Sequence, residues 1–78
     1  MLPARCHFQD KKWIEEQLKK LPPFAVRKAI DGYEKVFADS YNSEPIEHKK
    51  MNVARYDANT RLRKYIEKNN YNLILTIK

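Results

Sequence analysis

The sequence predicts a mainly α protein: a compact three-helix domain with a long third helix, an N-terminal extended arm and a possible short C-terminal β-strand. The length of 78 residues fits one domain. Apolar residues recur at intervals of three and four along most of the chain, which is typical of amphipathic helices. The only glycine, Gly32, leaves little material for the tight turns of an all-β fold. The proportions of apolar residues, 42%, and charged residues, 33%, are typical of a chain that folds.

The first segment, residues 1–9, contains Pro3 and shows no helical period. We expect an extended arm that lies against the domain, with Phe8 as its anchor. A first helix follows over residues 10–20, since Asp10 is a favourable N-cap residue. Its apolar residues at helical spacing are Trp13, Ile14 and Leu18.

Two prolines after Leu21 end the first helix, because proline lacks a backbone donor and pushes the preceding residue toward extended geometry. Pro23 suits the first turn of a second helix over residues 23–41. This helix has the strongest apolar periodicity in the chain, carried by Val26, Ala29, Ile30, Tyr33, Val36, Phe37 and Tyr41. Gly32 inside it costs up to about 1 kcal/mol relative to alanine, so we expect a neighbouring helix to pack closely there.

A third helix is predicted over residues 44–68, with Ser43 as its N-cap and Pro45 in its first turn. Its apolar face carries Met51, Ala54, Ala58, Leu62, Tyr65 and Ile66. One long helix is the preferred interpretation, and a break near Asn59-Thr60 is the alternative.

Residues 71–77 form an apolar run rich in β-branched and aromatic side chains, which favours a short strand. A single strand needs a partner. The partner could be the arm over residues 4–8, the same strand of a second copy, or the sheet edge of another protein.

Cysteine usage and apolar runs favour a cytoplasmic location. Cys6 is the only cysteine and can form no intramolecular disulfide, and no charged-then-apolar leader opens the chain at residues 1–10. The longest apolar runs, such as 73–75, are much shorter than the roughly 20 residues of a membrane span. We therefore expect a cytoplasmic protein with no membrane partner.

No pattern in the sequence predicts catalysis, a metal site or a cofactor. Cys6, His7 and His48 supply a thiol and two imidazoles, but structural zinc normally takes four ligands from paired short-spaced motifs. Cys6 and His7 are adjacent in an extended arm and therefore point to opposite sides, which argues against a nucleophile and base pair. The sequence also has no Gly-rich phosphate loop. We expect a binding protein and not an enzyme.

Sixteen Lys and Arg against ten Asp and Glu give a net charge of +6, which favours nucleic acid, an acidic protein surface or anionic lipid as partner. The candidate contact residues lie on or beside the third helix and are Lys49, Lys50, Arg55, Arg61, Arg63, Lys64 and Lys68. A stripe within a sector of about 60° faces phosphate in this prediction and consists of Lys50, Arg61, Lys64 and Lys68. Asp57 falls in the same sector and would oppose phosphate. The alternative is an ordinary solvated basic helix.

A second polar group on the third helix contains Asn52, Asn59 and Arg63. Arg55 lies nearby. Asn and Arg side chains can read base edges or make bidentate contacts, so this group is a candidate for base recognition. Tyr56 points away from the apolar face, and we expect it to be exposed.

The predicted third helix and the residues before it contain Glu44-Pro45-Ile46-Glu47-His48-Lys49-Lys50, Ala54-Arg55 and Ala58-Asn59-Thr60-Arg61-Leu62-Arg63. Together with Leu21-Pro22-Pro23 and Cys6-His7-Phe8-Gln9-Asp10, these stretches resemble small uncharacterised proteins encoded in phage and prophage accessory regions. The resemblance covers most of the chain and supplies no catalytic residues. It implies an accessory role, exerted stoichiometrically on nucleic-acid machinery or on host defence.

Three functional hypotheses follow from the sequence. The first is an accessory protein that binds nucleic acid or a nucleoprotein complex through its basic third helix. The second is a protein-directed inhibitor or regulator, such as an anti-defence (anti-CRISPR-like) factor, that docks on a host protein with an acidic surface. The third is a self-associating structural protein, in which two copies form a homodimer through terminal strands or helix faces.

Overall fold

The computed structural model describes the backbone of residues 2–77 and the side chains of residues 2–69. In order, its elements are a 3₁₀ turn Phe8–Asp10, α1 (Lys11–Leu18), α2 (Pro23–Ser43), a 3₁₀ turn Glu47–Lys49 and α3 (Lys50–Ile77). Helices α2 and α3 pack against each other as an antiparallel hairpin, and α1 packs on α3. The predicted three-helix, mainly α fold with a long third helix is confirmed.

Apolar side chains from all three helices form one core. Its buried members are Ile14, Leu18, Leu21, Ala25, Ala29, Ile30, Tyr33, Phe37, Ala54, Ala58, Leu62 and Ile66. The four alanines are divided between α2 and α3, and such small side chains let two helix backbones approach closely. Met51 is exposed, although its spacing predicts the apolar face. The hairpin therefore fixes which residues of α2 and α3 face each other.

The N-terminal arm lies against the domain as predicted, but its anchor differs. Pro3 is buried, Leu2 and Cys6 pack on the core, and the backbone N–H of Ala4 donates to the Glu34 carboxylate. The prediction that Phe8 anchors the arm is wrong, since its side chain is 71% exposed. Phe8 opens the first 3₁₀ turn instead, and its ring stacks on the neighbouring His7.

The first helix is shorter than the predicted 10–20, and the second is longer than the predicted 23–41. Helix α1 ends at Leu18, and Asp10 precedes it without making a side-chain capping hydrogen bond. Helix α2 begins at Pro23 as predicted and continues to Ser43. The prediction of Ser43 as an N-cap is therefore wrong, because this residue closes α2.

The third helix begins at Lys50, six residues later than the predicted start at residue 44. Glu44 and Ile46 have extended backbone geometry. Pro45 accounts for the geometry of Glu44, because its ring disfavours helical geometry in the residue before it. The connection 44–46 is thus an extended link followed by the Glu47–Lys49 turn.

Two other predictions concern the continuity of α3 and the residue at which it ends. Helix α3 is continuous, so the alternative break at Asn59-Thr60 is excluded. The segment 71–77, predicted as a possible strand, belongs to α3, whose backbone continues to Ile77. No Gly or Pro follows Pro45 in the sequence, so no backbone breaker separates these residues from the helix. Their side chains lie outside the described residues.

Candidate nucleic-acid interface

A polar network at the junction of the three helices engages Arg55. Its Nε and Nη2 donate to the two carboxylate oxygens of Asp10 at 2.8 and 2.9 Å. The Asn59 amide donates to the same carboxylate at 3.3 Å, and the Tyr33 hydroxyl donates to the amide oxygen of Asn59 at 2.6 Å. Arg55 and Asn59, two candidates for nucleic-acid contact, are therefore held inside the fold by their bonds to Asp10.

Electrostatics within this network favour one protonation state. The hydrogen bond from Arg55 lowers the pKa of the Asp10 carboxyl group, and the bond from Asn59 acts in the same direction. Burial raises the pKa of Tyr33, and the charge of Asp10 adds to this shift. The network at neutral pH consists of a carboxylate, a guanidinium cation, an amide and a neutral phenol.

Lys50 closes the connection between α2 and α3. Its Nζ donates to the backbone carbonyls of Tyr41 at 3.2 Å and Glu44 at 2.6 Å, and lies 5.6 Å from the centroid of the Tyr41 ring. A lysine in this position satisfies carbonyls that the end of a helix leaves without partners and complements the negative end of its dipole. Lys50 thus contributes to the structure of the hairpin.

The remaining candidate contact residues lie on α3 and in the turn before it. They are on different faces of α3 and near opposite ends of the hairpin. The Arg63 guanidinium lies 5.8 Å from the Trp13 ring centroid, over α1. Lys49 is exposed in the Glu47–Lys49 turn, at the opposite end of the hairpin from Lys68. Fourteen helical residues, or roughly 21 Å, separate Lys50 from Lys64. The seven predicted contact residues therefore do not form one surface.

Arg61, Lys64 and Lys68 do come together, and α2 adds Lys28 to them. These four exposed cations line a groove of about 460 Å³ between α2 and α3, which also includes Tyr65 and Asn69. We call this set of six residues the basic groove. None of the four cations forms an ion pair with another residue in the described part of the chain. Tyr65 is half-buried and packs against the core.

The basic groove continues along α2 past Gly32 to Lys35, sharing Lys28, Arg61 and Tyr65 with this neighbouring section. The charges there are partly compensated. Lys35 pairs with Asp39 at 3.1 Å, and Asp31 pairs with Arg27 at 3.4 Å. Asp57, which was expected to oppose phosphate, accepts a hydrogen bond from Ser40 at 2.7 Å and does not line the groove.

Gly32 has a different role from the predicted one. Among the described residues, no atom lies within 4 Å of a Cβ atom built at this position, so none of them packs closely against Gly32. Gly32 instead leaves one wall of the groove open. Sequence spacing contains a signal for this wall, since Lys28, Gly32 and Lys35 recur at intervals of four and three on one face of α2. Spacing alone does not place Lys28 beside the cations of α3, because this contact depends on how α2 packs on α3.

A second surface lies where α1 ends and α2 begins. An open cleft of about 560 Å³ is lined by Glu15, Leu18, Lys19, Leu21, Pro23, Val26 and Arg27. We call it the apolar cleft. The Phe24 side chain follows Pro23 and is 83% exposed. Exposed aromatic side chains beside an apolar depression are typical of protein-binding surfaces.

The cysteine and the two histidines do not come together in the fold. The Cys6 thiol donates to the Pro3 carbonyl, and burial raises its pKa. The His7 imidazole accepts from the N–H of Gln9, while His48 lies in the Glu47–Lys49 turn. Among the described residues, no group of three or more His, Cys, Asp and Glu side chains could hold a metal ion.

Within the described residues, no helix combines the length and apolar character needed to cross a membrane. Comparison of the chain with protein-family models, with curated proteins and with solved structures finds no match.

Proposed function

We propose that this chain is a small phage-type accessory protein that binds nucleic acid, alone or in a nucleoprotein complex, through the basic groove. The observation that carries the proposal is the convergence of Lys28, Arg61, Lys64 and Lys68 around Tyr65. The four cations come from two helices and have no ion-pair partner among the described residues.

Charge supports a polyanionic ligand. Cations that line the same groove repel one another, and a row of phosphates would relieve this repulsion while releasing bound counterions. The net charge of +6 on the whole chain adds a longer-range attraction. A stoichiometric binding role is also what we expect of a phage-type accessory protein.

Salt dependence tests the proposal directly. Four phosphate contacts correspond to a log-log slope of affinity against salt of about −3 to −4. We expect fluorescence anisotropy with labelled DNA or RNA to show binding at low salt and a slope of this size. Absence of binding to either nucleic acid at low salt would overturn the proposal.

A matched pair of double variants separates the groove from general charge. Lys64→Gln/Lys68→Gln removes two groove cations and should reduce the magnitude of the slope by about 1.5 to 2. Lys12→Gln/Lys20→Gln removes the same charge from exposed positions on and just after α1. This control should change the slope by much less. Equal effects of the two variants would count against the basic groove as the contact surface.

A second candidate is a protein-directed inhibitor or regulator, such as an anti-defence factor that docks on a host protein. The observations that favour it are the apolar cleft and the exposed Phe24 side chain, which follows the cleft residue Pro23 in the sequence. Aromatic anchors of this kind dominate the binding energy of many protein interfaces.

A further inference from the structure

We infer that the ligand of the basic groove is single-stranded nucleic acid, one base of which stacks on Tyr65. The inference rests on the proposed function and makes it more specific. It follows from three properties of the groove: cations on both of the helices that line it, the aromatic residue among these cations, and the open space at Gly32.

The accessibility of the bases distinguishes a single strand from a duplex. The cations lie on both sides of the groove, with Lys28 on α2 and Arg61, Lys64 and Lys68 on α3. Axes of packed helices are about 8 to 10 Å apart, so cations on the two helices can contact one phosphate backbone from both sides. A duplex can present a backbone to these cations, but its bases are paired and stacked, so only a single strand can also place a base on Tyr65.

Length sets the size of the ligand segment. Arg61 and Lys68 are separated by about 10 Å along the axis of α3. At about 3.4 Å per nucleotide, this part of the groove holds up to about three nucleotides, which are flanked by four phosphates. Three cations along α3 and one on α2 therefore match the phosphates of a short stretch of one strand.

Tyr65 supplies the stacking surface. It lines both sections of the groove and packs against the core, so its ring is held in place before a ligand binds. The side-chain amide of Asn69 donates to the backbone carbonyl of Tyr65 at 2.8 Å, which leaves the amide oxygen to accept a hydrogen bond from a base. Gly32 leaves space on the facing wall for that base. A positive groove with an aromatic platform is the usual arrangement of proteins that bind single strands.

The first test compares strands of equal length. The full chain is titrated by anisotropy with labelled polythymidine and with a duplex of the same length, at the same low salt. We expect the single strand to bind about tenfold more tightly than the duplex. Tyr65→Leu should weaken single-strand binding by about tenfold, because loss of one stacked base corresponds to roughly 5- to 150-fold in affinity.

Tyr56→Leu is the matched control, since Tyr56 is 72% exposed on α3 and does not line the groove. It should leave single-strand affinity unchanged. Tyr65→Phe keeps the ring and should retain most of the affinity. Gly32→Leu is a second test variant, to be used if Tyr65→Leu does not fold. Leucine favours a helix more than glycine does, and its side chain would fill the space for the base. This variant should also weaken single-strand binding about tenfold.

The outcomes separate the inference from the proposed function. Tighter single-strand binding that depends on Tyr65 and Gly32 supports both. Equal or tighter duplex binding, or single-strand binding unaffected by Tyr65→Leu and Gly32→Leu, overturns the inference and leaves the proposed function standing. Binding to neither nucleic acid overturns both.

Discussion

Asp10 connects the start of α1 to the middle of α3 through Arg55 and Asn59, and this contact determines how one carboxyl group responds to pH. The side chains of Asp10 and Arg55 are only 14% and 27% exposed. A bidentate pair at this depth is screened less than a surface ion pair, and removal of one partner leaves a poorly solvated charge.

The pKa of Asp10 is lowered in the fold, so the folded state binds fewer protons than the unfolded chain between the two pKa values. Its contribution to stability is present above pH of about 4 and is lost as pH falls through the folded pKa. We expect Arg55→Met to lower the free energy of unfolding by about 1 to 3 kcal/mol at neutral pH. The loss should shrink below pH of about 4, because the abandoned carboxylate becomes protonated.

Urea denaturation at several pH values measures this effect. Arg63→Met is the control, since Arg63 lies over Trp13 and forms no ion pair with a described residue. Its effect should not follow the protonation of a carboxylate. A pH-independent effect of Arg55→Met would show that the contact with Asp10 contributes by packing alone.

Residue spacing predicted elements more reliably than it predicted the partners of individual side chains. The period of three and four between Val26 and Phe37 is local information, and it located α2 with its start at Pro23. The contact of Asp10 with Arg55 spans 45 residues and depends on how α1 packs on α3. For the same reason, the sequence placed Lys50 and Arg61 in one stripe, although Lys50 bonds to carbonyls at the end of α2.

At the scale of the helix, Gly32 gives the simplest stability prediction. It lies in the interior of α2, has no positive φ, and has open space where a Cβ atom would be. We expect Gly32→Ala to raise the free energy of unfolding by up to about 1 kcal/mol, since alanine loses less backbone entropy in a helix. For a chain of this size, that corresponds to an increase in Tm of about 4 to 8 °C.

Thermal denaturation followed by circular dichroism checks this prediction. Gly32→Ala adds one methyl group and should leave nucleic-acid affinity nearly unchanged, in contrast to Gly32→Leu. A lower Tm would mean that the wall of the groove is packed more closely than the structure indicates.

Over the whole molecule, the two candidate surfaces share one end of the hairpin. Arg27 lines the apolar cleft and its neighbour Lys28 lines the basic groove. The other end carries the connection 44–46 and the Glu47–Lys49 turn. A nucleoprotein complex could therefore contact both surfaces at once, with nucleic acid in the groove and protein at the cleft. One experiment can therefore test both proposed functions.

Pull-down with the tagged full chain, with and without nuclease, separates these contributions. If the basic groove binds nucleic acid, the amount of nucleic acid recovered should fall after nuclease treatment. It should also fall with the variant Lys64→Gln/Lys68→Gln, whereas the variant Phe24→Ser should recover as much as the unchanged chain.

If the apolar cleft docks on a protein, that protein should still be recovered after nuclease treatment. Its recovery should be lost with the variant Phe24→Ser. Phe8→Ser is the control for that loss, because Phe8 is similarly exposed but has no cleft-lining residue next to it in the sequence. Loss of recovery in both phenylalanine variants would indicate nonspecific hydrophobic adsorption, since only Phe24 is next in the sequence to a residue that lines the cleft.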